Sequence, residues 1–409
     1  MGFKHVFFAS FPLVCSGYEV NAFLHSIEGT GSEKFFTRFF EDVITRKNKE
    51  KMCAFIDMDF TLTHNCFEVA VTAAQINQGI YRFKNEDIPN VFGLAGANKA
   101  CQNPVYKDNQ VDPGFPIQEV VKKITEVFDD KLKVQNDELR PLVAMWNYAL
   151  YSSTSKIPEC QYVRTTLSRR LLHKMPEDEI KGLIKTPLST DEKGSDIDVY
   201  TYHALNNRVY YPDFAKRASV YPEMRHLIAT LEHEKVTPYL VSASDINFVE
   251  AMAKHLELYG HNFGGHVDGS SKVPDEELHR AYGSRPTNDV DDNMLNGEGF
   301  VNDKGGKIKT IDHIILKAKC TFMIALGDSM GDYDMVKQVL DDAKAQQKLG
   351  KKTPTGYAVL INGKTKLHEN AEELVLLAKE HGDRARIQDI DIDGVKWRRS
   401  TSTSKKRAI

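Results

Sequence analysis

No apolar stretch in the 409 residues approaches the roughly 20 that a membrane-spanning helix needs, so the chain is read as having no membrane span. Charge of one sign is also missing. The net charge of −3 gives non-specific nucleic-acid binding no electrostatic basis, and nucleic acid is not an expected partner. Cysteine is sparse: Cys15, Cys53, Cys66, Cys101, Cys160 and Cys320 show neither zinc nor dithiol spacing. A disulfide scaffold is not expected at this size, and a reducing compartment is. No internal repeat is visible. The apolar run Val6-Phe7-Phe8-Ala9-Ser10-Phe11-Pro12-Leu13-Val14-Cys15 follows Lys4 but has a poor basic region, is interrupted by Pro12 and offers no clear small-x-small cleavage site. A cytoplasmic location is therefore expected.

What is present is ample apolar material, 41% of residues, which excludes general disorder. Phe35, Phe36, Phe39, Phe40, Val43 and Ile44 recur at helical spacing behind Ser32, a plausible N-cap. The default reading is a helix packed on its own domain, within an N-terminal extension of residues 1–50. Short buried strands are expected at about 52–57, 237–242, 321–327 and 356–361, with helical patterns between them such as 222–234 and 245–258. Continuous apolar runs alternating with helices predict a Rossmann-like, doubly wound parallel α/β sheet. Its core comprises 51–63 and 213–385. Residues 64–212 exceed what one crossover needs and read as a mainly helical insertion. Residues 270–306 read as loop with a hairpin at most, and 386–409 as a basic tail, either solvated or a nuclear-localisation or phosphate-binding patch.

In such sheets ligands bind at the carboxyl ends of the strands. Asp57-Met58-Asp59-Phe60-Thr61 directly follows the first strand. A carboxylate there is costly unless paired or metal-bound. Two acids two residues apart can divide the work: one attacks phosphorus and ligates a metal, the other exchanges a proton with the leaving oxygen. Ser242 ends the second strand, and Gly327-Asp328-Ser329-Met330-Gly331-Asp332 follows the third. Hard oxygen ligands favour Mg²⁺, and Lys307, after Gly305-Gly306, can balance the charge. Each element alone is common in loops; their order, once each, carries the weight.

These four motifs resemble those of the haloacid dehalogenase superfamily, in its phosphatase branch. The resemblance covers 52–63 and about 213–365, and it makes the insertion a helical cap. It implies Asp57 as the nucleophile that forms an aspartyl-phosphate and Asp59 as general acid/base. Thr61 would support the phosphate loop, and Ser242 and Lys307 would hold the phosphoryl group. Mg²⁺ would be bound by Asp57, by the Asp59 carbonyl and by Asp328, with Asp332 behind them on a metal-bound water or on Lys307. Dehalogenases of the superfamily lack the second aspartate, so Asp59 favours phosphate chemistry.

The second and fourth motifs are similar to those of phosphoserine phosphatases and closer to those of bacterial phosphorylcholine phosphatases. Met145-Trp146-Asn147-Tyr148 and Met175-Pro176-Glu177-Asp178-Glu179 resemble cap elements of these proteins. Phosphoserine phosphatases carry a glutamate nine residues after the nucleophile; here Cys66 stands there and Glu68 two further on. The expectation is a Mg²⁺-dependent phosphomonoesterase acting on a small-molecule phosphoester, phosphocholine or phosphoethanolamine being candidates. Glu68, Trp146 and Tyr148 are the candidate substrate residues, with Phe67, Tyr81 and Tyr151 as further aromatics for a quaternary ammonium. Packing inside the cap is the plainer role for each aromatic. Phosphoserine hydrolysis and phosphotransfer would use the same catalytic residues. A catalytically silent binding or regulatory module is the reading from another class. The sequence leaves the oligomeric state open.

Overall fold

A computed structural model describes residues 17–92, 117–128, 137–154, 167–188, 197–203, 209–210, 212–258, 278–286, 299–348, 355–393 and 395–399. The run 6–15, Cys15, Cys101, Cys160 and the basic residues beyond 399 lie outside them.

Six parallel strands form the centre of the molecule: β1 (Met52–Ile56), β2 (Val236–Asp245), β3 (Ala281–Pro286), β4 (Phe322–Gly327), β5 (Gly356–Asn362) and β6 (Ala385–Asp391). Their spatial order is β6-β5-β4-β1-β2-β3, and two short antiparallel segments, Lys396–Trp397 and Gly299–Phe300, close the edges. The four expected strands are present. Every residue of β1 and β4 is buried, as strands covered on both faces must be.

Alternation along the strands sends residues to two separate cores. Met52, Ala54, Ile56, Ile324, Leu326 and Val359 face one layer; Cys53, Phe55, Met323, Ala325, Ala358 and Leu360 face the other. The first layer is filled by helices α1 (Gly17–Ser26) and α2 (Glu33–Arg46), with part of the insertion. The amphipathic stripe of α2 is therefore core: Phe36 and Phe39 are fully buried, and Phe36 stacks on Trp397. Ser32 precedes α2 but makes no side-chain cap; its hydroxyl donates to Gln388 Oε1 at 2.6 Å and accepts from Arg386 Nε at 3.0 Å.

Three expectations need correction. The segment from 386 is no tail at its start: it is most of β6 and then the Trp397 edge segment, a polar edge strand whose charge disguised it. Residues 281–286, within the expected loop 270–306, join the sheet parallel to β2, their Gly283 and Pro286 having read as turn punctuation. Cys53 and Cys320 form a disulfide across 267 residues, with Cα atoms 5.9 Å apart. Register, not sequence spacing, brings them together, since Met52 pairs with Phe322.

Between β1 and β2 lie helices α3 (Phe67–Gln78), α4 (Ile117–Val127), α5 (Leu139–Thr154), α6 (Glu177–Leu188) and α7 (Pro222–His233), with two small antiparallel ladders, and α8 (Ile246–His255) follows β2. The insertion has its own apolar core, including Phe83, Phe92, Val143, Trp146 and Phe214. Its two connections to the sheet run together: Thr63 bridges Val220, and His64 N donates to Ser219 O at 3.1 Å.

Candidate active site

The chain leaves β1 toward β2 and β3 on one side and returns to β4 on the other side of β1. The strand order reverses there, and in such sheets the carboxyl ends of the strands at the reversal, here β1 and β4, are where ligands bind. Ile56 pairs with Leu326, so Asp57 and Asp328 emerge side by side, and Asp57 N donates to Leu326 O at 3.0 Å. Carboxylate oxygens of Asp57, Asp328 and Asp332 all lie within 4.8 Å of one another, and all three residues are buried. Sequence distance hides this cluster; parallel register creates it.

Lys307 sits in the first turn of helix α9 (Gly305–Ala318), is 2% exposed, and donates to Asp57 Oδ1 and Asp332 Oδ1, each at 2.5 Å. Gly306 makes that placement possible: a Cβ there would lie 1.9 Å from Val301 O. Asp332 accepts from the backbone N–H groups of Asp328 at 3.0 Å and Ser329 at 3.1 Å, which folds the loop after β4 back on itself. Gly327 is required for the fold-back, since its Cβ would meet Asp332 Cβ at 2.5 Å. The direct bond to Lys307 is one of the two placements expected for Asp332.

Thr61 is fully buried; its hydroxyl lies 3.1 Å from Asp328 Oδ1 and 3.4 Å from Asp57 Oδ2. It bridges the two carboxylates and so braces the loop that follows β1. Phe60, one residue earlier, has φ +62°, a strained turn for an aromatic residue that sharply redirects the chain after Asp59. The Asp59 carboxylate lies outside the triad. It accepts from Phe67 N at 2.6 Å and from Ser244 Oγ at 2.6 Å. Ser242 is buried at the irregular end of β2, its Oγ accepting from Ser244 N at 3.2 Å.

Asn302 is a buried polar residue beside the candidate site that the sequence reading missed. Fully buried, it donates to Ser242 O and Tyr282 O, both at 3.0 Å, and accepts from Thr310 Oγ1 at 2.8 Å. It fixes the Ser242 strand end against β3 and α9. Its only signal was a polar residue closing the short apolar run Phe300-Val301.

The charges compete strongly. Burial, then Asp332, push Asp57 up to about 7 against the pull of Lys307. Burial, followed by Asp332 and Asp57, raises Asp328 well above the carboxylate range. Burial raises Asp59 too, opposed by its bonds from Ser244 and Phe67. Burial alone would depress Lys307, but the charges of Asp332 and Asp57 outweigh it and hold the ammonium above its ordinary value. Three buried acids thus share one lysine, and Asp328 Oδ2 is shielded from solvent with no hydrogen-bond partner. An orphaned carboxylate oxygen amid excess negative charge fits a hard cation with oxygen ligands. The residues present could hold a metal ion.

The candidate substrate residues separate. Trp146 is 0% exposed inside the insertion, its Nε1 donating to Phe92 O at 3.0 Å, and Tyr148 packs on Phe214. Both pack within the insertion, the plainer role expected of each aromatic. Glu68, one residue beyond Phe67, is buried beside Asp245 and Asp59, and burial followed by those two acids raises it to about 8.

No family model and no curated protein sequence matches the chain. The fold is similar to that of a solved structure described as a conserved functionally unknown protein from Anaerococcus prevotii DSM 20548. The TM-score is 0.54 at 14% identity, over 90% of this chain and 95% of that one. The likeness is one of fold.

Proposed function

We propose that the chain is a Mg²⁺-dependent phosphomonoesterase of the haloacid dehalogenase type, working through a phosphoryl group on Asp57. The observation that carries the reading is the Asp57–Lys307–Asp332 chain of contacts, with Asp328 alongside, at the point where the strand order reverses. Asp57 Oδ attacks phosphorus, and the bond to the leaving-group oxygen breaks. Asp59 gives that oxygen its proton, then takes one from the water that attacks the aspartyl-phosphate, returning the enzyme with free phosphate. Its raised pKa suits the first role, and its bonds from Phe67 N and Ser244 Oγ aim it. Lys307 keeps Asp57 ionised and draws the phosphoryl oxygens toward it, while the Ser242 hydroxyl lies at the neighbouring strand end. Asp57, Asp328 and the Asp59 carbonyl would hold Mg²⁺, which supplies charge neutralisation for the phosphoryl group.

The insertion acts as a cap that limits substrates to small phosphoesters. Phosphocholine and phosphoethanolamine remain the candidates. The test is phosphate release from a panel of small phosphomonoesters with Mg²⁺ and with EDTA, for wild type, Asp57→Asn and Asp59→Asn. Asp57→Asn should abolish turnover with the fold intact, and Asp59→Asn should slow it by roughly 10²–10⁴-fold. Full activity in Asp57→Asn overturns the mechanism.

A further inference from the structure

Asp59 is held by donors from both halves of the molecule: Phe67 N, at the start of α3 in the insertion, with the thiol of the preceding Cys66, and Ser244 Oγ, near the end of β2 in the sheet. Phe67 and Ser244 are each followed in sequence by a buried acid, Glu68 after Phe67 and Asp245 after Ser244. The two acids meet, because Asp245 N donates to Glu68 Oε2 at 3.3 Å. The contacts therefore close a ring that runs from Asp59 through Phe67 and Glu68 to Asp245 and Ser244 and back to Asp59.

The ring is braced on its outer side. The Asp245 carboxylate caps the next helix through Asn247 N at 3.0 Å and pairs with Arg169 Nη1 of the insertion at 3.4 Å. Ser168, beside Arg169, hydrogen-bonds Glu68, and Thr72 Oγ1 lies 2.8 Å from Ser168 Oγ. Glu68 is the member that joins the two halves, and the mechanism makes no use of it.

We propose that Glu68 is a positioning residue for Asp59: it ties the first turn of α3 to the end of β2 and so fixes the Phe67 and Ser244 donors on the proton carrier. The charged groups around it agree. Asp245 and Asp59 face it from the sheet side, and the Arg169 charge is taken up by Asp245. An ionised Glu68 would add negative charge beside these acids, and burial with these neighbours raises its pKa to about 8. The role rests on reading Asp59 as the proton carrier.

The experiment compares Glu68→Gln and Glu68→Ala in the full chain, with p-nitrophenyl phosphate and Mg²⁺. Deuterium exchange at Phe67 N is measured alongside. Gln keeps an acceptor for Asp245 N and cannot ionise. It should retain kcat within about threefold and remove the fall in rate expected of wild type as pH passes about 8. Ala should lower kcat at least about tenfold, with KM changed less than about threefold, and speed exchange at Phe67. A Glu68→Ala enzyme with wild-type kcat and pH profile overturns the proposal, as does a Gln variant as impaired as Ala. If wild type hydrolyses no phosphoester, the phosphatase reading fails by itself. Exchange then decides the positioning role: faster at Phe67 in Ala alone supports it, and no change in either variant overturns it.

Discussion

Lys307→Met should destabilise the protein strongly, and more so at alkaline pH. Methionine replaces the aliphatic stem of a side chain that is 2% exposed, so little volume is lost. What disappears is the cation bonded at 2.5 Å to both Asp57 and Asp332. Breaking a buried pair by removing one partner leaves an uncompensated charge and costs about 3–5 kcal/mol. The pH dependence follows from Asp57, whose folded pKa is already raised to about 7. A carboxyl raised above its unfolded value of about 3.9 keeps a proton in the folded chain that the unfolded chain has released, so stability rises as pH falls. Wild type without metal should gain about 1 kcal/mol between about pH 8 and 6, through the Asp57 midpoint. In the variant the influences that lower the Asp57 pKa are gone and the midpoint passes about 8, so the gain becomes about 3 kcal/mol. The gap between the two proteins should narrow by about 1–2 kcal/mol on acidification. Urea denaturation in EDTA at the two pH values measures it. A loss below about 1 kcal/mol at pH 8, or a gap that does not narrow, would refute the picture of three acids sharing one lysine.

Reduction of Cys53–Cys320 removes a link that closes 267 residues and should cost about 2–4 kcal/mol, read as a lower thermal midpoint in dithiothreitol; an unchanged midpoint would exclude that contribution. Gly306→Ala forces a Cβ onto Val301 O and should displace Lys307, lowering turnover at least about tenfold. Trp146→Ala should cost about 3–5 kcal/mol by emptying the core of the insertion, and it should affect phosphocholine and an aryl phosphate alike. A KM defect confined to phosphocholine would return Trp146 to the substrate site.

Local signals made much of this protein legible from its sequence. Strands such as Met52–Ile56 and Phe322–Gly327 are continuous apolar runs bounded by polar residues, and hydrophobic burial on two faces leaves few other uses for them. The acids at their ends stood out because a carboxylate beside a buried strand demands a partner. The α2 stripe identified a packed helix for the same reason of periodicity. Tertiary structure decided whatever depends on register and on which buried groups meet. Parallel pairing of β1 with β4 sets Asp57 against Asp328 and, at the strands' other end, Cys53 against Cys320. The polar strand Ala385–Asp391 and the Gly- and Pro-containing strand Ala281–Pro286 lack the apolar run that marks a buried strand, and only their sheet neighbours make them strands. Trp146 and Glu68 looked alike as substrate candidates along the chain; packing sent one into the core of the insertion and the other to the side of Asp59. Sequence carries each residue's chemistry, but distance between residues far apart in the chain exists only once the sheet has set their register.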